Sequence, residues 1–286
     1  MLPATLTRMS KTAKELFEET GKSKHLAVFE AVTRQSLALT QQVRRNLASI
    51  KPLRNAWHLT VALHRQTQWR TYDQATYAKY IGANPDPWGY SSWSSGLTEQ
   101  KIQMAIDMVS KLGRTFERAL EIGCAQGAMS ERLAPLCKEL LAVDFVPVAL
   151  ERARARCHEN NVSFARWDLA SDPVPGQFDL IVITDVLGSF GGRRDVRRAR
   201  DKLVTALTPG GYLLYGDFIG DSLAQRIHES WLGRALLFRP GKILGIFDAD
   251  PALVQISRQN TEWHLLALFQ KRTATDGALP VTGKIR

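Results

Sequence analysis

Residues 118–127 read Arg-Ala-Leu-Glu-Ile-Gly-Cys-Ala-Gln-Gly, and this stretch decides the fold of the chain. A short apolar run ends at Glu121 and Ile122, and glycines follow at positions 123 and 127. The pattern predicts a buried strand that turns sharply into a helix over residues 128–136. Glycine lets the backbone approach a ligand closely, and N–H groups at the start of the helix point toward that ligand. The turn is therefore typical of a nucleotide-type cofactor site.

Strand-like apolar runs alternate with helical periodicity on both sides of this turn. The predicted strands span residues 118–122, 140–144, 162–167, 178–184 and 211–216, and the predicted helices span 98–112, 128–136, 147–160 and 195–207. Two further runs, 252–258 and 261–271, are separated by Gln259-Asn260, which predicts an antiparallel hairpin. We therefore predict an α/β fold, a doubly wound, seven-stranded, mostly parallel sheet with an antiparallel C-terminal hairpin.

The 286 residues have a hydrophobic fraction of 44% and a formal net charge of +10, and the charge is unevenly distributed. Residues 1–85 contain 13 Lys and Arg against 5 Asp and Glu, whereas the remainder contains 25 against 23. Helical spacing of apolar residues in the basic segment predicts a helical extension over 1–83. We predict that this extension precedes a sheet domain over 84–272, with a helical insertion at 221–250 and a flexible tail at 273–286.

Cysteine usage predicts the compartment. Cys124, Cys137 and Cys157 show neither metal-ligand spacing nor a paired pattern, so we expect no metal site and a reducing environment. No run approaches the roughly 18 apolar residues of a membrane span, and residues 1–21 lack the apolar block of a secretory signal. These features predict a cytoplasmic protein with no membrane span.

Acidic residues lie at the ends of the predicted strands, where ligands bind in an open parallel sheet. Asp144 ends the second strand, and Asp168, Asp185 and Asp217 lie at the ends of the third, fourth and fifth. A carboxylate after strand two can accept from both ribose hydroxyls, and one after strand three can accept from an adenine amino group. A nicotinamide dinucleotide and S-adenosylmethionine both fit this description. The three-glycine signature of dinucleotide sites is incomplete here. The acid after strand three, the Pro-Gly-Gly turn at 209–211 and the terminal hairpin favour S-adenosylmethionine.

The order of these motifs resembles the class I S-adenosylmethionine-dependent methyltransferases over residues 84–272, and within them the NodS-like group. The segments that carry the likeness are Asp-Pro-Trp-Gly-Tyr at 86–90, Glu-Gln-Lys at 99–101, Ala-Leu-Glu-Ile-Gly-Cys at 119–124, Glu-Arg-Leu-Ala-Pro at 131–135 and Trp-His-Leu-Leu-Ala-Leu-Phe at 263–269. The resemblance implies S-adenosylmethionine as methyl donor and S-adenosylhomocysteine as product. The long N-terminal extension and the insertion at 221–250 are not expected of a chitooligosaccharide enzyme. We therefore carry over methyl transfer and not the nodulation substrate.

The resemblance also implies roles for individual residues. Asp144 would hold the ribose, Phe145 would pack on the adenine, and Asp168 would bind the adenine amino group beside Leu169. Lys101 would reach the cofactor carboxylate. The remaining residues assigned to the cofactor site, most of them near its methionine part, are Trp88, Glu121, Gly123, Cys124, Ala125, Gly127, Asp185 and Val186. Of these, Trp88 would close over the cofactor, and Ala125 stands where the family commonly has glycine. Structural roles stay open as alternatives: Glu121 and Asp168 as caps, and Asp144 and Asp185 as strand-end residues.

Methyl transfer is an in-line displacement, so the enzyme must align the acceptor and remove its proton. The candidate bases are Asp185, Asp217 and His228. No Asn-Pro-Pro-Tyr-type motif follows the fourth predicted strand, which argues against methylation of a base or amide nitrogen in nucleic acid or protein. We predict a methyltransferase that acts on a nitrogen or oxygen of a small molecule in specialised or glycan-related metabolism.

Two other functions fit the sequence. In the first, the basic N-terminal helices bind phosphates and the enzyme methylates nucleic acid. In the second, the chain is a non-enzymatic cofactor-binding module whose basic helices form a partner interface. A basic extension could also bind an acidic carrier protein that presents the acceptor, or form a homodimer contact. A solvated helical face without a partner is the remaining alternative.

Overall fold

A computed structural model describes residues 81–83, 95–190, 192–219, 240–261 and 263–273 of the chain. All of them belong to the unit Gln66–Arg286. The helices and strands that follow residue 94 are α1 (Ser95–Ser110), β1 (Phe116–Ile122), α2 (Ala128–Leu133), β2 (Cys137–Asp144), α3 (Pro147–Arg156), β3 (Val162–Arg166), β4 (Phe178–Thr184), α4 (Arg193–Ala206), β5 (Leu207–Phe218), α5 (Pro240–Asp248), β6 (Leu253–Asn260) and β7 (His264–Lys271). Two short 3-10 helices, Ala134–Leu136 and Leu187–Ser189, follow α2 and β4.

The seven strands form one sheet in the order β3-β2-β1-β4-β5-β7-β6. Neighbouring strands are parallel except at β7, which runs antiparallel to β5 and β6. The predicted doubly wound sheet with an antiparallel C-terminal hairpin is confirmed. Strand order reverses between β1 and β4, which places a topological switch point at the middle of the carboxyl edge.

The central strands are buried on both faces, as expected when helices cover a parallel sheet. Side chains alternate along β4: Ile181 and Ile183 join a cluster with α4 and α5, whereas Leu180 and Val182 join a cluster with α1 and α2. Packing on both faces holds the strand ends in register. The loops after the strands are therefore presented from a rigid edge.

The predicted hairpin link at Gln259-Asn260 was wrong. β6 continues through Asn260, and residues 261–263 separate it from β7. The hydroxyl of Thr261 accepts hydrogen bonds from the N–H groups of Trp263 at 3.1 Å and His264 at 2.9 Å. This local cap favours a turn after β6 rather than within it.

Three other predicted boundaries also differ from the structure. The helix predicted at 128–136 stops at Leu133 and continues as a 3-10 turn, because Pro135 has no N–H for a further helical bond. α3 ends at Arg156, where the following Cys157 is extended. β5 begins at Leu207, which pairs with Phe178, so the strand starts before residue 211; the predicted Pro-Gly-Gly turn at 209–211 is an irregularity within it, where the pairing register shifts and Gly210 has a φ of 76°.

Several predicted segments lie outside the described residues. These are the N-terminal extension up to residue 80, the loop at 84–94, the insertion from 220 to 239 and the tail beyond 273. Of the predicted helical insertion, the structure describes α5 and the two residues that follow it. Among the described residues, no helix combines the length and the apolar character needed to cross a membrane.

Candidate functional site

The carboxyl ends of β1, β2 and β4 meet at the switch point. After β1 the chain bends over the neighbouring strand β2. The N–H groups of Gly123 and Cys124 both donate to the carbonyl of Val143, at 2.8 and 3.0 Å. Gly123 also lies against the second residue after β4, because a Cβ built on it would meet Val186 Cγ2 at 2.4 Å. The glycine loop of residues 123–127 therefore touches the loops of both neighbouring strands.

Three residues of the glycine loop have left-handed backbone conformations. Gly123 and Gly127 have φ of 78° and 79°, and Ala125 has φ of 48°. A Cβ on Gly127 would lie 3.1 Å from the Ala153 Cα of α3, so this glycine permits close packing of helix on loop. Ala125 holds the same conformation without being glycine, which only a well-determined loop sustains.

Asp144 ties the glycine loop to the turn after β2. Its carboxylate accepts hydrogen bonds from the N–H groups of Ala125 at 3.0 Å and Val146 at 2.9 Å. Burial raises the pKa of Asp144, while these backbone donors and that of Phe145 act in the opposite direction. The half-buried Phe145 follows directly at the same edge. The predicted ribose-binding carboxylate thus lies at the switch point.

Four polar residues beside the glycine loop form what we call the buried polar cluster: Lys101, Tyr215 and Asp217 are buried, and Asp185 is half-buried. Lys101 projects from α1, and its ammonium lies 2.6 Å from Asp185 Oδ2 after β4. Asp185 has a φ of 58°, and its N–H donates to the carbonyl of Gly216 in β5. These contacts hold one charge pair across α1, β4 and β5.

Asp217 is the buried acid of this cluster. Tyr215 Oη donates to its Oδ2 at 3.2 Å, and the N–H of Phe218 donates to its Oδ1 at 3.0 Å. Burial, together with the negative charge of Asp185, raises the pKa of Asp217 to about 7. Burial and the neighbouring Asp217 also raise the pKa of Tyr215 well above its ordinary value, so its hydroxyl stays a donor.

Glu121, at the end of β1, is a second buried carboxyl near this cluster. It accepts a short hydrogen bond from the Ser130 hydroxyl of α2. Burial raises the pKa of Glu121 to about 7, and the charge of Lys101 opposes that rise. Glu121 therefore anchors α2 to the strand end and also lies within the electrostatic field of Lys101.

Asp168 forms a turn after β3. Its Oδ1 accepts from the N–H of Ala170 at 2.9 Å, and its own N–H donates to Asp172 Oδ2 at 2.9 Å. The turn-cap alternative is thus present in the structure, and the assignment to adenine stays a prediction. Leu169 beside it is buried, and its carbonyl accepts from Lys202 Nζ.

Of the three remaining predicted residues, one is buried and unreactive and two lie outside the described residues. Cys124 is buried, and burial raises the pKa of its thiol, so it stays protonated and serves as a small packing residue. Trp88 and His228 lie outside the described residues. The sequence analysis missed Tyr215 and Ser130. Strand alternation was an available signal for Tyr215, since residues two apart on a strand share a face.

Comparison with known proteins agrees with this fold. A sequence model of the family described as nodulation protein S (NodS) matches residues 77–237. Nodulation protein S of Rhizobium tropici is 31% identical over 172 residues, which cover 57% of this chain and 71% of that protein. The crystal structure of N-methyltransferase NodS from Bradyrhizobium japonicum WM9 in complex with S-adenosyl-L-homocysteine is similar, with a TM-score of 0.57 and 29% identity. The alignment covers 70% of this chain and 99% of that one.

A more distant relative is the malonyl-[acyl-carrier protein] O-methyltransferase of Acetivibrio thermocellus, 27% identical over 128 residues and covering 44% of each chain. The family match spans more than half of the present chain. The chain therefore belongs to the nodulation protein S family and is an S-adenosylmethionine-dependent methyltransferase with the class I fold.

Proposed function

We propose that this enzyme methylates an amine nitrogen of a small molecule and that Asp217 accepts the proton that the nitrogen gives up. The observation that carries the proposal is the buried polar cluster, which holds a carboxyl with a pKa of about 7 at the switch point of the sheet. A general base works best when its pKa lies near the operating pH.

The residues at the carboxyl edge suit S-adenosylmethionine. The carboxylate of Asp144 suits ribose hydroxyls, the ammonium of Lys101 suits the carboxylate of the cofactor, and the buried acids suit its ammonium. The missing Cβ at Gly123 lets the loop after β4 pack directly against the glycine loop, which holds that loop in place at this edge. When bound, the cofactor supplies an electrophilic methyl group on a sulfonium sulfur.

Within the cluster, Asp217 is a better proton acceptor than Asp185. Asp185 is engaged with the ammonium of Lys101 at 2.6 Å. Asp217 instead receives a hydrogen bond from the neutral Tyr215 hydroxyl, which orients its carboxylate without neutralising it. Because burial and the charge of Asp185 raise the pKa of Asp217, its ionised form can take a proton from an ammonium-form acceptor and release the lone pair of the nitrogen.

A nitrogen acceptor is supported by the similar solved protein, which is named an N-methyltransferase. An oxygen acceptor is the second candidate, because the more distant relative is named an O-methyltransferase. That name also supports a carrier-bound acceptor. We accordingly propose that an acidic carrier protein presents the acceptor to this enzyme. A cytoplasmic location is supported by the three cysteines, which are free and buried. The domain boundaries and a homodimer through the N-terminal helices stay predictions.

The test uses the purified full chain with methyl-labelled S-adenosylmethionine and a cell extract, followed by mass identification of labelled products. We expect a labelled small amine, free or released from a carrier protein. Asp217→Asn should lower its formation roughly 10²–10⁴-fold. The control is Asp201→Asn, which removes an exposed acid on α4 that pairs with Arg200 and should leave the rate unchanged. Label found only in RNA, or an unchanged rate with Asp217→Asn, would contradict the proposal.

A further inference from the structure

Helix α4 separates its apolar and basic residues onto opposite faces. The apolar residues Val196, Ala199, Leu203 and Ala206 are buried against the sheet. Four exposed arginines occupy the other side, and we call them the arginine patch: Arg193, Arg194, Arg197 and Arg198. With 3.6 residues per turn, these four positions form one stripe on the helix surface.

The arginine patch takes no part in the interactions that hold the described residues together. Within the described part of the chain, no ion pair or hydrogen bond is recorded for any of its four side chains. The next basic residues of the same helix behave differently. Arg200 pairs with Asp250 at 3.0 Å and donates to the carbonyl of Ile246, while Lys202 donates to the carbonyl of Leu169. Four guanidinium groups are thus exposed to solvent, next to two basic residues whose side chains are bonded within the protein.

The arginine patch begins at the same edge of the sheet as the buried polar cluster. Gly188 in the 3-10 helix after β4 lies directly against Asp217, since a Cβ on it would meet Asp217 Oδ2 at 3.0 Å. Only residues 190–192 separate this 3-10 helix from the start of α4. A partner held by the patch would therefore sit at the rim of the proposed methyl-transfer site.

The charge distribution favours a compact acidic partner over a long polyanion. The patch spans roughly 7.5 Å along the helix axis at 1.5 Å per residue. Residues 86–286, which include the patch, carry 25 Lys and Arg against 23 Asp and Glu. Nucleic acid presents a continuous row of phosphates and is bound by an extended basic surface. A partner helix with carboxylates one turn apart matches the patch in length and charge, and guanidinium forks bind carboxylates bidentately.

We infer that the arginine patch docks an acidic helix of the carrier protein that presents the methyl acceptor, an inference that rests on the carrier-bound acceptor proposed above. The patch positions the carrier at the rim and leaves the chemistry to the buried polar cluster. The basic residues of α4 thereby acquire a function that the cofactor site does not require.

The test compares the full-length wild type with the double variant Arg197→Glu/Arg198→Glu. Its matched control is Lys111→Glu/Lys138→Glu, which reverses two exposed charges before β1 and at the start of β2, at the opposite edge of the sheet. The probes are a purified bacterial acyl carrier protein in its phosphopantetheine-bearing form and a single-stranded RNA oligonucleotide of similar charge. Binding is measured by fluorescence anisotropy at low and high salt. A neutral variant, Arg197→Gln/Arg198→Gln, guards against effects of charge reversal on folding.

We expect the wild type to bind the carrier protein, the patch reversal to weaken binding roughly tenfold, the neutral variant to weaken it less, and the control to bind as the wild type does. Equal binding by the patch and control variants overturns the inference, as does a wild type that binds no carrier protein. RNA binding that depends on Arg197 and Arg198 in place of carrier binding also overturns it. Binding of S-adenosylhomocysteine and turnover of a free amine report on the proposed function separately, because neither requires the patch.

Discussion

Replacing Gly123 by alanine tests the close contact between the glycine loop and Val186 in the loop after β4. Two costs add at this position. The first is the left-handed backbone at φ 78°, which penalises a side chain by about 1–2 kcal/mol. The second is the contact of the new Cβ with Val186 Cγ2 at 2.4 Å, and overpacking of this kind costs about 1–3 kcal/mol. We therefore expect Gly123→Ala to lower the free energy of unfolding by about 2–5 kcal/mol.

Gly113→Ala is the matched control for the backbone contribution. Gly113 also has a left-handed φ, 64°, but a Cβ there meets nothing within 4 Å. Gly113→Ala should therefore lower the free energy of unfolding by the backbone contribution alone, about 1–2 kcal/mol. Val186→Ala removes the clashing methyl group, so the double variant Gly123→Ala/Val186→Ala should regain the part of the unfolding free energy that Gly123→Ala loses through overpacking.

The assay is urea unfolding of the four variants and the wild type, with the coupling between positions 123 and 186 taken from the double-mutant cycle. Binding of S-adenosylhomocysteine, measured by calorimetry, shows whether the same contact shapes the cofactor site. If Gly123→Ala costs no more than Gly113→Ala, or if Val186→Ala gives no rescue, the loops do not touch as described.

Three further predictions concern the buried acids. The pKa of Glu121 rises from 4.5 to about 7 on folding, so the folded state retains a proton that the unfolded state has released. The free energy of unfolding then falls as pH rises across this window, and Glu121→Gln should reduce that fall by about 3 kcal/mol. Urea unfolding at several pH values measures the fall in each protein. An equal fall in the wild type and the variant would refute the pKa shift. The methyl-transfer rate should rise with pH through about 7 as Asp217 ionises, and a pH profile of wild type and Asp217→Asn should show this rise only in the wild type. Asp144→Ala should weaken S-adenosylmethionine binding by about 1–3 kcal/mol through loss of a charged hydrogen bond, and unchanged affinity in calorimetry would remove Asp144 from the ribose assignment.

Errors in the sequence-based prediction occurred where local signals compete. The hairpin link was placed at Gln259-Asn260 because such pairs favour tight turns, yet the hydroxyl of Thr261 caps the chain further on. The turn predicted around Pro209 is present, with Gly210 at a φ of 76°, but β5 begins before it, because Leu207 already pairs with Phe178. At both positions the hydrogen bonds of neighbouring residues decided where the strand begins or ends.

The sequence by itself determined the sheet, its switch point and the list of residues at the strand ends. Periodicity and the glycines at 123 and 127 are local signals, and parallel connections leave few ways to assemble them. Only the tertiary structure decided how those residues act on one another. Lys101 and Asp185 are 84 residues apart in sequence and meet because α1 packs on the sheet face that carries Val182 of β4 and Leu214 of β5. The raised pKa of Asp217 depends on burial and on the nearby Asp185, and neither is encoded in spacing along the chain. Burial and through-space charge are properties of the packed molecule, so the chemistry of the site emerged only once the strands and helices were assembled.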